Sequence, residues 1–172
     1  MKNRLVLLNS KKISNSGKLS PLSLRRAEKR DAKEYFHLVN DLLVRRNSFN
    51  DENIGWENHC KWFTHKLDSY LCVMLVAEQS NVFVGQVRFD LNPQDRNWTI
   101  DFSIVRDYRG KGYSKMMLSQ AIHYLAQEAQ EGIALQAHVK IENLPSRRVF
   151  ESLGFKILFV DSGIVRYIKH FD

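Results

Sequence analysis

The sequence predicts a mixed α/β fold in a single domain, with seven strands and about four helices. Three observations predict it. Apolar runs of strand length alternate along the chain with apolar stripes at helical spacing. Three of the strands follow one another across short turns, which asks for an antiparallel portion. A strand–helix–strand unit between Trp98 and Val139 asks for a parallel pair with a right-handed crossover. The expected sheet is therefore mixed and mostly antiparallel.

The elements follow in order from about Pro21. Leu22 to Ala27 alternates apolar and polar and reads as a strand. Asp31 is placed to cap a helix running to about Leu43, and Arg46 to Asp51 reads as a polar loop. Trp56, Cys60, Phe63 and Leu67 then fall on one helical face. Leu71–Ala77 and Val82–Phe89 are strands joined at Ser80-Asn81, and Trp98–Val105 is a third. Leu118, Ala121, Ile122, Leu125 and Ala129 form the cleanest helical stripe, which ends near Gly132. Ile133–Val139 is the next strand. Asn143-Leu144-Pro145 opens a short helix, since Asn caps and Pro suits an early helical position. Gly154 closes that helix. Phe155–Val160 and Ile164–Ile168 are the last strands, with a turn at Asp161-Ser162-Gly163.

Composition narrows the function. The 172 residues hold 26 Lys+Arg and 19 Asp+Glu, a net charge of +7, with 44% hydrophobic residues. That is ordinary for a globular domain and excludes a disordered, collagenous or disulfide-scaffold chain. Five unopposed basic residues, Lys2, Arg4, Lys11, Lys12 and Lys18, lie in residues 1–20, which read as a flexible basic arm. The domain is then 21–172. The apolar stretch Leu5-Val6-Leu7-Leu8 is too short for a signal peptide, and no window resembles a membrane span. Cys60 and Cys72 lack metal-ligand spacing, so no metal is expected and both read as reduced thiols of a cytoplasmic protein. The +7 first points to nucleic acid, but the body has no helix-turn-helix, zinc knuckle or basic stacking strand. Outside the arm, positive charge gathers at Arg106 to Lys115, and then at Arg147 and Arg148.

That first gathering carries the chemistry. Arg109-Gly110-Lys111-Gly112-Tyr113-Ser114 lies between a strand and the long helix. Two glycines permit a tight turn with successive N–H groups exposed at a helix N-terminus. Arg109, Lys111 and Lys115 add full charges, so the loop reads as an anion cradle fit for a pyrophosphate. It is neither a Rossmann loop, since Lys115 stands where the third glycine belongs, nor a Walker loop.

The pattern Arg109-x-x-Gly112-x-Ser114 resembles the pyrophosphate loop of the GNAT acetyltransferases, with Ser114 standing where that family has Gly or Ala. Asn143 to Phe155, an Asn-led helix ending in Gly-Phe, resembles the family's second signature. The resemblance covers about Leu22 to Ile168. It implies a GNAT fold whose sheet splays between two central parallel strands, with acetyl-CoA bound in the V-shaped opening. Implied cofactor residues are Ile104 and Val105 for the pantetheine, Arg109, Gly110, Lys111, Gly112, Tyr113 and Ser114 for the pyrophosphate, and Asn143 and Ser146 along the channel. The implied reaction moves acetyl to a primary amine, which needs a base. Asp101 is the first choice for it, with Glu78 and His138 as the others. In many relatives a tyrosine on the last helix protonates the leaving thiolate. Phe150 stands there, so Tyr113, a water or no donor at all takes that role.

For the acceptor, Arg46-Asn47-Ser48-Phe49 and then Trp56-x-x-His59-x-x-Trp62-Phe63 resemble GNAT enzymes that acetylate amino sugars on nucleotide carriers in pseudaminic or legionaminic acid pathways. This resemblance implies substrate-binding roles for Arg46, Asn47, His59 and Trp62. The expected function is acetyl-CoA-dependent N-acetylation of a small-molecule amine, a nucleotide-linked amino sugar. Acetylation of a protein N-terminus or lysine, and a non-catalytic acyl-CoA-binding module, are the alternatives. No nucleic acid or membrane partner is expected. A homodimer is compatible with the sequence, which does not fix the oligomeric state.

Overall fold

The computed structural model describes residues 21–128 and 133–171. The basic arm and the helix end expected near Gly132 lie outside them. The order of elements is β1 (Ser23–Arg26), a 3-10 turn (Lys29–Asp31), α1 (Ala32–Val39), α2 (Leu42–Asn47), α3 (Trp56–Asp68), β2 (Cys72–Gln79), β3 (Val82–Leu91), β4 (Asn97–Ile104), a 3-10 turn (Arg106–Tyr108), α4 (Tyr113–Glu128), β5 (Ile133–Lys140), α5 (Leu144–Ser152), β6 (Lys156–Asp161) and β7 (Ile164–Phe171). One seven-stranded sheet has the order β1-β2-β3-β4-β5-β7-β6. Every neighbouring pair is antiparallel except β4/β5. The mixed sheet and its central parallel pair agree with the expectation.

Alternation along the strands divides the sheet into two faces. One face carries Val73, Leu75, Val87, Phe89, Ile100 and Leu135, packed against Met117, Leu118, Ala121 and Leu125 of α4 and Phe150 of α5. The opposite face, called the front here, carries Cys72, Met74 and Val76 and is covered by Tyr35 of α1 and Phe63 of α3. Burial and the nearby Asp90 carboxylate push the Cys72 thiol up to about 12, which keeps it an inert core group. The turns form where the chain asks for positive φ: Ser80 and Asn81 at 51° and 64°, Ser162 and Gly163 at 48° and 77°.

Parallel pairing of β4 with β5 is short. Only Asn97↔Ala134, Trp98↔Leu135 and Thr99↔Gln136 are partners. Beyond Thr99 and Gln136 both strands continue, to Ile104 and Lys140, without pairing each other. The sheet therefore opens between its two central strands toward their C-terminal ends. A bulge in the β2/β3 ladder leaves Val84 between the pairs Ala77↔Gly85 and Glu78↔Phe83. Gly85 lies beside the opening, where an added Cβ would come within 2.4 Å of the Ser103 carbonyl oxygen.

Three local expectations change. The helix expected from Asp31 to Leu43 is two helices. Asn40 accepts from the Ile54 amide and donates to the Ile54 carbonyl, drawing the chain out of helical geometry. Asp41 then restarts the helix, accepting from the amides of Leu43 and Val44. Arg46 and Asn47 consequently sit in the last turn of α2 and not in a loop. Asp31 stands at the N-cap position of α1 but makes no side-chain cap bond to it. Its carboxylate accepts from the Glu28 amide at 2.7 Å and from both terminal nitrogens of Arg25 at 2.7 Å.

Candidate active site

The opening between β4 and β5 presents free strand edge. The Val105 amide donates to Val84 and the Asn97 carbonyl accepts from Asn92, both toward β3. Strand alternation therefore turns the polar backbone groups of Phe102 and Ile104 toward the opening. Of the two residues expected at the pantetheine, Ile104 has its N–H on the open side, whereas the Val105 N–H is already taken. The Ile104 carbonyl accepts from Arg109 Nε at 2.8 Å.

The glycine turn expected to cradle an anion lies at the end of β4. After the 3-10 turn, Gly110 and Gly112 adopt φ of 71° and 84°, a region that strongly favours glycine. Nothing approaches the Cβ position of Gly110 within 4 Å, so the turn is open. Gly112, Lys111 and Lys115 are exposed, and Ser114 is half-buried in the first turn of α4. Tyr113 turns inward. It is 7% exposed, its hydroxyl accepts from Gln79 Nε2 at 2.8 Å, and its ring meets Tyr108 edge-on. Its side chain is thus taken up inside the domain and not at the turn. Asn143 stands at the end of β5, where it accepts from the Ser146 amide at 3.3 Å and caps α5. Both helices that follow the parallel strands therefore start at the mouth of the opening, a position suited to an anionic ligand. An extended chain ending in a pyrophosphate fits these groups: unpaired strand edge, open glycine turn and two exposed lysines.

The sequence did not announce the short helix laid over this mouth. At its start, Asp41 Oδ1 accepts from Arg109 Nη2 at 2.7 Å, across 68 residues of chain. At its end, the Arg46 carbonyl accepts from Lys140 Nζ at 2.8 Å. Arg109 follows β4 and Lys140 ends β5, so α2 straps one side of the opening to the other. Burial alone would raise the Asp41 carboxyl, but Arg109 and the amides of Val44 and Leu43 hold it below the usual carboxylate range. Arg45 pins the following loop through the carbonyls of Asn50 and Glu52. Arg109, expected as a cofactor contact, is thus committed to Asp41 and Ile104.

The front face beside the opening is polar. Asp101 lies two residues beyond the last β4/β5 pair, with its side chain 50% exposed. Gln86 Nε2 donates to its Oδ2 at 2.9 Å, and Arg88 approaches the same oxygen at 3.9 Å. Gln86 is 2% exposed and its Oε1 has no partner. By the register Thr99↔Gln136, His138 lies on the same face as Asp101, across the opening. Burial, and then the Arg166 charge, lower His138, so it is neutral at pH 7. Its Nε2 is buried without a partner. Glu78 is placed differently. It accepts from Arg25 at 2.7 and 3.0 Å, in a cluster with Asp31 two strands away from β4. Its carboxylate is held as a structural ion pair, which removes it as a base.

The expected acceptor residues do not form one cluster. Arg46 is exposed on α2 at the mouth, and Asn47 beside it donates to its own helix at the Leu43 carbonyl. His59 is corrected from a substrate contact to a core residue. It is 1% exposed, ring-packed against Phe36, Trp56 and Phe63, and bonded through Nε2 to the Ala32 carbonyl at 2.8 Å. The buried face of α3 runs through His59 and Phe63, while Trp56 is 48% exposed. Trp62 is half-buried under the Arg88 guanidinium, 5.3 Å from its ring centre. It reaches the opening only through Arg88 and Asp101. Gln86, Arg88 and Asp90 were missed, although their alternation with Val87 and Phe89 marks a polar strand face. Phe150 is 2% exposed, with ring contacts to Phe102, Phe155 and Tyr167.

Comparison with known proteins agrees with this geometry. Residues 22–156 match the acetyltransferase (GNAT) domain family model. An uncharacterised N-acetyltransferase, YycN of Bacillus subtilis (strain 168), is 39% identical over 67 residues, 38% of this chain and 40% of that protein. The chain thus matches less than half the length of this curated relative. Among solved structures, a spermidine N-acetyltransferase from Vibrio cholerae, in complex with CoA and spermine, superposes with a TM-score of 0.75 at 18% identity, over 87% of this chain and 95% of that one. An acetyl transferase from Salmonella typhimurium that modifies the N-terminal serine of a ribosomal protein gives 0.74 at 16%, over 88% and 95%. A domain from Methanocaldococcus jannaschii gives 0.75 at 21%, over 88% and 99%. With the splayed parallel pair, the glycine turn and the match across residues 22–156, the chain belongs to the GNAT acetyltransferase family, whose cofactor is acetyl-CoA.

Proposed function

We propose that this protein transfers acetyl from acetyl-CoA to the primary amine of a nucleotide-linked amino sugar in the cytoplasm. The observation that carries the acceptor class is the charge pattern of the front face. Asp90 is paired with Lys66 and Arg88, and Asp31 and Glu78 with Arg25. Asp101, half-exposed, stands beside the opening with Arg88 and Arg45 acting on it. An open carboxylate among arginines suits an amine carried on an anionic diphosphate. A polyamine asks for several open carboxylates.

The amides of Gly110 to Ser114, with Lys111 and Lys115, would hold the pyrophosphate, and the Ile104 N–H the pantetheine. Asn143 and Ser146 would line the channel beside them. When bound, acetyl-CoA supplies a thioester carbonyl open to attack by an amine. Asp101 takes the amine's proton. Gln86 and Arg88 both lie against Oδ2, which leaves Oδ1 for that task. His138, neutral across the opening, is the second proton acceptor. Arg46 and Asn47, at the strap, face the nucleotide carrier. A second reading, acetylation of a protein N-terminus, draws on the apolar rim of Leu42, Leu43 and Phe49, which are 85%, 46% and 60% exposed.

The experiment follows free thiol released from acetyl-CoA with nucleotide-linked 4-amino sugars, spermidine and peptides with free N-termini. Release with the sugars alone is expected. Release with peptides or spermidine alone overturns the acceptor class. No release while CoA still binds overturns the catalytic reading in favour of a binding module. Asp101→Asn should lower turnover by about 10²–10⁴ with CoA affinity unchanged. A wild-type rate in Asp101→Asn, lost instead in His138→Gln, moves the base to His138.

A further inference from the structure

Gln86 lies in the middle of β3 on the front face, between Val76 of β2 and Ser103 of β4. Val76 belongs to the apolar cluster with Tyr35, Phe63, Cys72 and Met74, and Gln86 itself is 2% exposed. A methionine or leucine would fill such a place with no polar atom to satisfy. The glutamine is only half satisfied. Its Nε2 donates to Asp101 Oδ2 at 2.9 Å, and its Oε1 is buried without a partner. The amide has no second orientation. A carboxylate only accepts, so the NH2 end must face Asp101 and the carbonyl must stay unpaired. A buried acceptor without a donor weakens a fold. Packing therefore does not account for Gln86, whereas its contact with Asp101 does.

Asp101 stands two residues before Ser103, which makes it the diagonal neighbour of Gln86, within reach of a long side chain. The residue directly across from Asp101 is Arg88, yet Arg88 is held back. Its Nε donates to Asp90 at 2.7 Å, and its Nη1 stays 3.9 Å from Asp101 Oδ2. Asp90 is gripped in turn by Lys66 at 2.6 Å. The close donor to the half-exposed carboxylate is thus a neutral amide, which orients it without bringing a further charge into contact.

We propose that Gln86 is a positioning residue for acetyl transfer: it holds Asp101 by Oδ2 and so presents Oδ1 to the acceptor amine at the opening. The inference rests on Asp101 being the base. At Oδ1 an N–H bond of the amine breaks, an O–H bond forms, and the freed electron pair attacks the thioester carbonyl. Gln86 is too deeply buried to touch either reactant and acts through Asp101 alone. Without it the carboxylate turns freely and spends less time in the reactive orientation.

The test is Gln86→Met in the full chain, which keeps the side-chain length and removes the amide. Thiol release from acetyl-CoA is followed with the nucleotide-linked 4-amino sugars, spermidine and the peptides with free N-termini. For the amine that turns over, kcat should fall about ten- to a hundred-fold, while KM for acetyl-CoA and for that amine stays within about two-fold. The melting temperature should hold or rise, because the unpaired carbonyl is gone. Added to Asp101→Asn, Gln86→Met should cause no further loss. In nitrogen–proton NMR spectra the Gln86 side-chain amide signals, identified by their absence from Gln86→Met, should move in Asp101→Asn. Unmoved signals overturn the contact. A parent-like kcat in Gln86→Met beside a slow Asp101→Asn overturns the proposal and leaves the base standing. A parent-like rate in Asp101→Asn overturns the base, and the role of Gln86 with it. A raised KM together with a lowered melting temperature makes Gln86 merely structural and overturns the proposal. A further loss in the double variant overturns action through Asp101. Absence of turnover with every amine overturns both readings.

Discussion

Removing the Asp41 carboxylate tests whether α2 is held as a strap. Asp41→Ala deletes the cap on the amides of Leu43 and Val44, about 1 kcal/mol. It also deletes the bond from Arg109. Both side chains of that pair are about a quarter exposed, so solvent screens it to about another 1 kcal/mol. No residue of α2 is buried, so the loss falls on local opening of the helix more than on global unfolding. About 2 kcal/mol is roughly a thirty-fold rise in opening. Native-state hydrogen exchange of amides 43–47 reads it directly. Asp41→Asn keeps a capping oxygen and loses the charge, so its rise should be nearer five-fold, about 1 kcal/mol. The pH dependence has a defined sign. The folded Asp41 carboxyl lies below its unfolded value, near 3.9, so its stabilisation is present above that value. It is lost as pH falls through the folded value, and the variants and the parent should converge in acid. Equal exchange in all three proteins at neutral pH would falsify the strap.

Three further outcomes follow from packing and charge. Gly85→Ala should cost about 1–3 kcal/mol in chemical denaturation, since its Cβ meets the Ser103 carbonyl at 2.4 Å and Met117 Sδ at 3.2 Å. A wild-type midpoint would mean β3 and β4 can part there freely. Arg25→Leu leaves the 6%-exposed Asp31 side chain and Glu78 without their cation and should cost about 3–5 kcal/mol in the same assay. His59 and His138 are both lowered by burial, so the unfolded chain binds protons first. Stability should then fall as pH drops from about 6.5 toward the folded values. His59→Gln should flatten that fall in thermal melts, and an unchanged slope would show that His59 protonates without strain.

Much of the sheet could be read from local pattern. The β2/β3 turn at Ser80-Asn81 and the Asn143 cap depend on residues a few positions apart, and both form where expected. The interruption of the first helix does not. It needs Ile54, fourteen residues beyond Asn40, to take both ends of an amide. The face of α3 turned by one position for a related reason. A pocket formed by Ala32 and Phe36 gives the His59 imidazole a carbonyl and aromatic neighbours, which outweighs the apolar preference of Trp56. The glycine turn after β4 was legible because its glycines serve the backbone locally. The partner of Arg109 was not, because Asp41 lies 68 residues away along the chain.

The way α2 is attached separates two kinds of selection. No residue of the helix is fully buried, and it is fastened by a cap, one ion pair, one lysine-to-carbonyl bond and the Arg45 bonds to the following loop. Of its anchors only Asp41 and Arg45 use side chains of this segment, since Lys140 holds a backbone oxygen that any residue supplies. Positions 42–44, 46 and 47 are therefore free to vary with little change in the domain's stability. The rim of the opening can drift while the glycine turn and the core beneath it stay as they are.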